Sequence, residues 1–134
     1  MASYRSREGD ITAVDTKTEL TTLGSQATPG ALLVPGAATR IVQIIAAIGI
    51  APVATAKQAA IFIRLEGDGL DQESPSIMVQ GAGGLVTTSG GEMYGNLVII
   101  PVEIKAKAGA IAIFAEMAGV DLGTVTIGVT LVFQ

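Results

Sequence analysis

The chain has no cysteine, no histidine and no tryptophan. Without cysteine it cannot form a disulfide, a thiolate metal site or a cysteine nucleophile. Without histidine it lacks the base that most often activates a serine hydroxyl, so the sequence gives no support for nucleophilic catalysis. These absences predict a protein that is not an enzyme and that uses neither a cofactor nor a metal.

Charge is also scarce: charged residues make up 15% of the 134 residues, against roughly 25% in typical soluble domains. Eight Lys and Arg oppose twelve Asp and Glu, for a net charge of -4. A nucleic-acid binder needs a basic stripe that neutralises several phosphates. Arg5 and Arg7 are followed at once by Glu8 and Asp10, so no such stripe forms. We therefore expect no direct nucleic-acid binding, and no motif indicates a small-molecule substrate.

What the chain does have is an excess of apolar residues, 49% of the total, with a mean hydropathy of +0.57. The best membrane candidate, Ile41 to Ala56, is shorter than the ~20 residues of a spanning helix and is interrupted by Gln43, Gly49 and Pro52. We expect no membrane span. A chain of this size has a modest interior, so the surplus predicts that a neighbouring copy covers part of the surface.

The last segment has the clearest local pattern. From Thr124 to Phe133, apolar residues alternate with threonine and glycine. A period of two is typical of a strand, because successive side chains point to opposite sides of the pleat. The same alternation occurs from Ile61 to Glu66, from Val98 to Lys105 and from Ile111 to Met117. Pro101 has no N–H to donate, so it predicts a sheet edge, a bulge or a strand start.

Short strands separated by Gly, Pro and Ser clusters indicate a sandwich or barrel. The predicted segments are Ile11 to Leu23, Ala31 to Val34, Ile41 to Ile50, Gln58 to Glu66, Ser76 to Val79, Asn96 to Lys105, Ala110 to Met117 and Thr124 to Phe133. For the first of them a short helix around Asp15 to Leu20 is the less favoured alternative. We predict an all-β, two-sheet antiparallel sandwich of about eight strands, with a jelly roll as the expected topology. An immunoglobulin-like or other Greek-key sandwich predicts nearly the same pattern. Residues 1–10 are predicted to form a flexible N-terminal arm, and residues 11–134 a single β-sandwich domain.

Two motifs are candidates for binding sites. Glu66, Asp68, Asp71 and Glu73 form an acidic loop that lacks the spacing of an EF-hand, so a solvated turn is favoured and calcium binding stays open. The glycine run from Gly81 to Gly84 lacks the third glycine of a dinucleotide fingerprint and the lysine of a phosphate loop. A glycine-rich loop is therefore the preferred interpretation of that run.

The segment from Ile41 to Ile50 is apolar on both faces, as expected of a strand that is covered on both sides. Some apolar residues elsewhere occupy strand positions where a monomer would show polar groups. The predicted subunit interface consists of Ile41, Ile44, Ile48, Ile50, Phe62, Ile99 and Phe114.

The whole pattern resembles small viral shell proteins with a single jelly roll, either capsid or capsid-decoration proteins. The resemblance rests on the arm Met1 to Asp10, the strand Ile41 to Ile50 and the closing segment Asp121 to Phe133. It implies a self-assembling structural protein of the virion, acting as a capsid or a decoration (cement) subunit, with itself and other shell proteins as partners. The arm departs from genome-packing coat proteins because it is not basic.

A second class fits the same residues. A non-viral β-sandwich module, located outside the cell or on its surface, would bind carbohydrate or form fibres. Self-association at micromolar concentration distinguishes the shell protein from a monomeric binding module.

Overall fold

The structure is a computed structural model, and it describes residues 2–24, 26, 29–50, 57–58, 60–80, 85–86, 94–119 and 123–134. The regular elements in these ranges are all strands, and none is a helix that could cross a membrane. The glycine run Gly81 to Gly84 and the end of the Ile41 to Ala56 segment lie outside the described residues. The strands are β1 (Ser3–Ile11), β2 (Thr18–Glu19), β3 (Leu32–Leu33), β4 (Arg40–Ile50), β5 (Lys57–Gln58), β6 (Ala60–Glu66), β7 (Ser76–Gln80), β8 (Leu85–Val86), β9 (Tyr94–Lys105), β10 (Ala110–Ala118) and β11 (Val125–Phe133).

The strands form two main antiparallel sheets. One sheet has the order β1-β11-β4-β9, and the second has the order β2-β10-β6-β7 with β3 beside β10. Strands β5 and β8 pair separately as a short ribbon. The prediction of an all-β, two-sheet antiparallel sandwich is confirmed.

The pairing is nested, which identifies the topology. Strand β6 pairs with β7, β4 with β9, β2 with β10 and β1 with β11. The chain is thus one long antiparallel ribbon folded over on itself, and the pairs β11–β4 and β10–β6 join its two arms. This is the jelly roll, because an immunoglobulin-like sandwich instead places its first strand beside its second.

The core lies between the two sheets and is built by strict alternation. Along β10, side chains alternate between buried and partly buried from Ala110 to Ala118, and β6 follows the same rhythm. The largest fully buried side chains include Phe133, Met117 and Leu65. Burying such a side chain contributes about 1.5 to 3 kcal/mol, so these alternating faces account for most of the apolar surplus.

Strand β4 contains an irregularity that matters for its faces. Its register with β9 shifts between Ile41 and Gln43, and a shift with β11 occurs opposite the same place. As a result Ile41 and Ile44, three positions apart, both point into the core with no exposed surface. Pro101 lies directly opposite Gln43 on the edge strand β9, as its missing N–H predicts.

The predicted flexible arm at residues 1–10 is wrong from Ser3 onward. Those residues form β1, which pairs without interruption with β11 from Ser3 opposite Phe133 to Ile11 opposite Val125. The sandwich therefore begins at the third residue, and the resemblance to shell proteins loses the arm as one of its features. The prediction failed because β1 is held by backbone hydrogen bonds to β11, and such bonds do not require alternating apolar side chains.

The segment from Ile11 to Leu23, predicted as one strand, is broken into short pieces. Ile11 closes β1, and only Thr18–Glu19 form a strand, paired with β10. Asp15 adopts a positive φ of 53°, which bends the chain between the two sheets and prevents one continuous strand. Thr22 bridges back to Glu8, so the segment connects the first edges of both sheets.

Candidate assembly surface

Four of the predicted interface residues fill the core of the chain itself. Ile41, Ile44 and Ile50 have no exposed area, and Ile48 is 2% exposed. They project from β4 toward the opposite sheet, so they have no surface to offer a neighbouring copy. The prediction that β4 is apolar on both faces remains useful, because its other face is the outer surface of the sandwich.

The other three predicted residues lie on two opposite outer faces. Ile99 is on β9, on the outside of the four-stranded sheet, and is 55% exposed. Phe62 and Phe114 are on β6 and β10, on the outside of the second sheet, and are partly buried. A single flat contact cannot include residues from both faces, so the two groups must be considered separately.

On the first face, apolar side chains adjoin across two neighbouring strands. Ile99 lies opposite Ile45, and Leu97 lies opposite Ala47. Leu97 is 64% exposed, and the Ala47 and Pro101 positions are exposed beside it. We call Ile45, Ala47, Leu97, Ile99 and Pro101 the β4–β9 apolar face.

The other half of the same outer face is polar. Ser6 on β1 shares a 2.7 Å hydrogen bond with Thr130 on β11, and the Thr126 hydroxyl donates to Asp10 at 2.9 Å. Thr130 lies directly opposite Ile45, so the change from polar to apolar occurs between adjacent strands. The outer face is therefore polar along β1 and β11 and apolar along β4 and β9.

The β4–β9 apolar face ends at a rim that carries both signs of charge. Glu103 and Lys105 are exposed on the same strand, and Arg40 lies 3.4 Å from the Glu103 carboxylate. Exposed ion pairs of this kind contribute little to stability. Their relevance is that the rim does not repel a second, identical rim.

The second outer face is covered in part by the chain's own charged side chains. Lys17 Nζ lies 4.5 Å from the centre of the Phe114 ring, within the range of a cation–π contact. A hollow of about 280 Å³ between Phe62, Phe114 and Arg64 has Glu116 at its side. Met78, paired with Phe62, is also exposed on this face, at 53%. This face is therefore mixed, whereas the five residues of the β4–β9 apolar face are all apolar and are bordered by Gln43 opposite Pro101.

Glu66 ties these cations together. Its Oε2 accepts a 2.8 Å hydrogen bond from Lys17 Nζ, and its Oε1 lies 3.2 Å from Arg64 Nε. The Lys17 hydrogen bond is the main cause that holds the pKa of Glu66 below its ordinary value of 4.5, against a smaller opposing effect of lost hydration. Glu66 is thus fixed as an anion that positions Lys17 over Phe114.

This geometry predicts a pH-dependent loss of stability at Glu66. Because the pKa is lower in the folded state, the stabilisation is present above the unfolded pKa of about 4.5 and is lost as the pH falls through the folded pKa. We expect Glu66→Gln to be less stable than wild type at about pH 6 and the gap to shrink toward about pH 3. Urea titrations over this pH range measure it. Glu73→Gln, which removes an exposed carboxylate, is the control. A difference in the free energy of unfolding between Glu66→Gln and wild type that does not change with pH would contradict the prediction.

The remaining acidic loop residues do not converge on one point. Asp71 lies 3.6 Å from Lys107, and its backbone N–H donates to Lys105 O at 2.9 Å. In the part of the chain that is described, no three Asp or Glu side chains are grouped closely enough to hold a metal ion. With Glu66 occupied by Lys17, the loop is held by ion pairs and backbone bonds.

The predicted interface contains only Ile99 of the β4–β9 apolar face. It omits the other four residues, Ile45, Ala47, Leu97 and Pro101. The signal for Leu97 was present, because the outward alternation Ile99, Pro101 extends two residues back to it. Ala47 carried no such signal. Its place beside Leu97 depends on the register between β4 and β9, which strand periodicity does not determine.

The described chain is therefore a jelly-roll sandwich with one half-apolar outer face. No family model matches the chain, and no curated protein is similar to it in sequence. Among solved structures it is similar to that of the infectious bursal disease virus Gx strain, with 11% identity and a TM-score of 0.44 over 100% of this chain and 32% of that one. It is also similar to the VP2 subviral particle of infectious bursal disease virus, with 17% identity and a TM-score of 0.35 over 96% of this chain and 32% of the other.

The chain thus spans about a third of the length of the virus proteins that it matches. Similarity at these TM-scores does not establish a shared fold. The assignment of the jelly roll rests on the nested strand pairing of this chain alone.

Proposed function

We propose that this protein is a non-catalytic structural subunit that assembles with copies of itself, as a capsid or decoration component of a virion shell. The observation that carries the proposal is the β4–β9 apolar face. Leu97 and Ile99 are 64% and 55% exposed on one half of a sheet whose other half is polar. Large exposed apolar patches with polar rims mark protein–protein contacts.

The magnitude of this contact favours a multivalent assembly over an isolated dimer. Burying the exposed parts of Leu97 and Ile99 contributes about 1 to 2 kcal/mol for each side chain. Association of two proteins costs on the order of 4 to 15 kcal/mol in lost translational and rotational freedom. One such contact is therefore weak, whereas a closed shell in which every copy makes several contacts is stable.

A second copy fits the face better than a strongly charged partner does. The rim contains Glu103, Lys105 and Arg40, so two identical rims can meet with opposite charges adjacent. Closed symmetric assemblies are built from contacts of this kind between identical chains. The net charge of -4 gives no reason to expect nucleic acid at this surface.

The basic experiment measures the size of the purified full chain. Size-exclusion chromatography with light scattering, followed by electron microscopy of the concentrated protein, should reveal large discrete oligomers or closed particles. A single monomeric species at all concentrations into the high micromolar range would refute the proposed assembly. Filaments without closure would instead favour the fibre-forming module.

A paired variant tests the surface within that assembly. We expect Leu97→Thr combined with Ile99→Thr to lower the apparent association constant by roughly a factor of ten or more, because each contact loses two buried apolar side chains. Threonine keeps the strand propensity and adds no charge. Light scattering as a function of concentration is the measurement.

The control is Met78→Thr, which removes an equally exposed apolar residue from the opposite face. It should leave association unchanged. If Met78→Thr dissociates the assembly and the double variant does not, the second outer face carries the contact, and the assignment to β9 is wrong while self-assembly stands.

A further inference from the structure

Arg7 is the one charged side chain that is buried among the described residues, with 8% of its surface exposed. It lies on β1 opposite Val129, whose side chain is part of the core. A buried charge is normally paired with an opposite charge, because leaving it unpaired is costly. Arg7 is therefore an exception that requires an explanation.

Its hydrogen bonds are made to backbone carbonyls. Nη1 donates to Ser6 O at 2.7 Å, and Nη2 donates to Gly30 O at 2.9 Å. None of the ion pairs between described residues includes Arg7. A guanidinium has five N–H donors, so three remain after these two bonds, and its positive charge is not neutralised.

Arg7 lines a cleft of about 700 Å³. The apolar part of the cleft is formed by Leu20, Leu32 and Ile111, which are buried in the core. Glu19 and Asp68 also line it, and both are exposed. The cleft thus combines one buried cation with an apolar wall and a mouth that is negatively charged.

We propose that this cleft binds a small monocarboxylate with an apolar body. The carboxylate would pair with the free N–H groups of Arg7, whose planar fork matches its two oxygens. The apolar body would lie against Leu20 and Ile111. Glu19 and Asp68 disfavour ligands with several negative charges, so phosphates and nucleic acid are selected against. The proposal is one of binding without a reaction, and it does not depend on self-assembly.

The test compares two probes with the same alkyl chain, one with an anionic head group and one with a neutral head group. Octanoate and its neutral analogue octanamide are titrated into the isotopically methyl-labelled full chain and followed by NMR. Octanoate should shift the methyl signals of Leu20, Leu32 and Ile111 in a saturable manner. Octanamide should bind more weakly by roughly a factor of ten or more, because it forms no charge-assisted pair with the guanidinium.

A pair of variants assigns the effect to Arg7. Arg7→Met should reduce octanoate binding to the level of octanamide, whereas Arg5→Met removes an exposed arginine from the same strand and should leave binding unchanged. If Arg7→Met fails to fold, the comparison of the two probes on wild type decides. Equal binding of octanoate and octanamide, shifts remote from the cleft, or no saturation at millimolar octanoate would each overturn the proposal.

Discussion

Deletion of residues 2–9 should destabilise the protein by about 4 kcal/mol or more, a large part of the 5 to 15 kcal/mol that holds a typical domain folded. The deletion removes seven of the nine residue pairs between β1 and β11, those from Ser3 to Gly9. Each ladder hydrogen bond contributes a net 0.5 to 1.5 kcal/mol, roughly. The edge of β11 would then be open to water, together with its residues Ile127, Val129 and Leu131, which are buried in the intact fold.

The loss extends beyond this ladder. Glu8 exchanges two backbone hydrogen bonds with Thr22, at 2.9 and 3.1 Å, and Arg7 holds Gly30. Both ties connect β1 to the segment that leads to the second sheet. Removing them loosens the first edges of both sheets together, so we expect a lower slope of the urea transition as well as a lower midpoint.

The control keeps the strand and changes only its exposed side chains. Tyr4→Ser combined with Arg5→Ser leaves the backbone ladder intact and should cost little, since surface substitutions usually stay within about 0.5 kcal/mol. Urea unfolding followed by circular dichroism measures all three proteins. An unchanged midpoint after the deletion would mean that these residues behave as the flexible arm that sequence reasoning predicted.

Strand β1 was not predictable from hydrophobic periodicity for a physical reason. Its positions opposite the buried residues of β11 are occupied by Ser3, Arg5, Arg7 and Gly9, of which Arg7 is buried and Arg5 is exposed. This row therefore has no apolar side chain before Ile11. Edge strands often carry inward-pointing charges, which prevent pairing with other chains. The glycine also has a packing role, since a Cβ at Gly9 would lie 3.3 Å from Leu20 Cδ2.

Most of the other strands could be predicted because they are half-buried and alternate. β6, β10 and β11 are present where the period of two placed them, and their buried positions have the predicted phase. The interface residues chosen on β4 were Ile41, Ile44, Ile48 and Ile50, and all four lie in the core. The register shift between Ile41 and Gln43 turns Ile41 and Ile44 to the same side, and a simple alternation cannot show this.

Long-range pairing explains the remaining gap between sequence and site. The sequence presents Phe114 as surplus apolar surface. In the fold its ring is covered by Lys17, which is 97 positions away along the chain, and Glu66 orients that lysine. The Arg7 cleft likewise combines residues from β1, β3 and β10. Such sites depend on the fold of the ribbon, whereas sequence patterns report on neighbours within one strand.

The second large effect is expected at Gly67, where the chain leaves β6. Gly67→Ala should reduce the free energy of unfolding by about 3 kcal/mol. Gly67 has a φ of +125°, a conformation that side chains rarely adopt, and an added Cβ would overlap the carbonyl oxygen of Ala110. That oxygen accepts a 2.9 Å hydrogen bond from the Gly69 N–H, so the backbone cannot move away without breaking the contact between this loop and β10.

The matched control is Gly36→Ala, at a glycine whose added Cβ would meet nothing within 4 Å. It should change stability by no more than about 0.5 kcal/mol, so the comparison isolates the backbone conformation and the close approach from the general effect of adding a methyl group. Thermal unfolding of both variants measures the difference. If Gly67→Ala melts like Gly36→Ala, the loop after β6 does not pack against Ala110 as described. Gly67 and Ala110 also line the Arg7 cleft. If the Gly67→Ala variant is destabilised but still folded, it should therefore also lose octanoate binding.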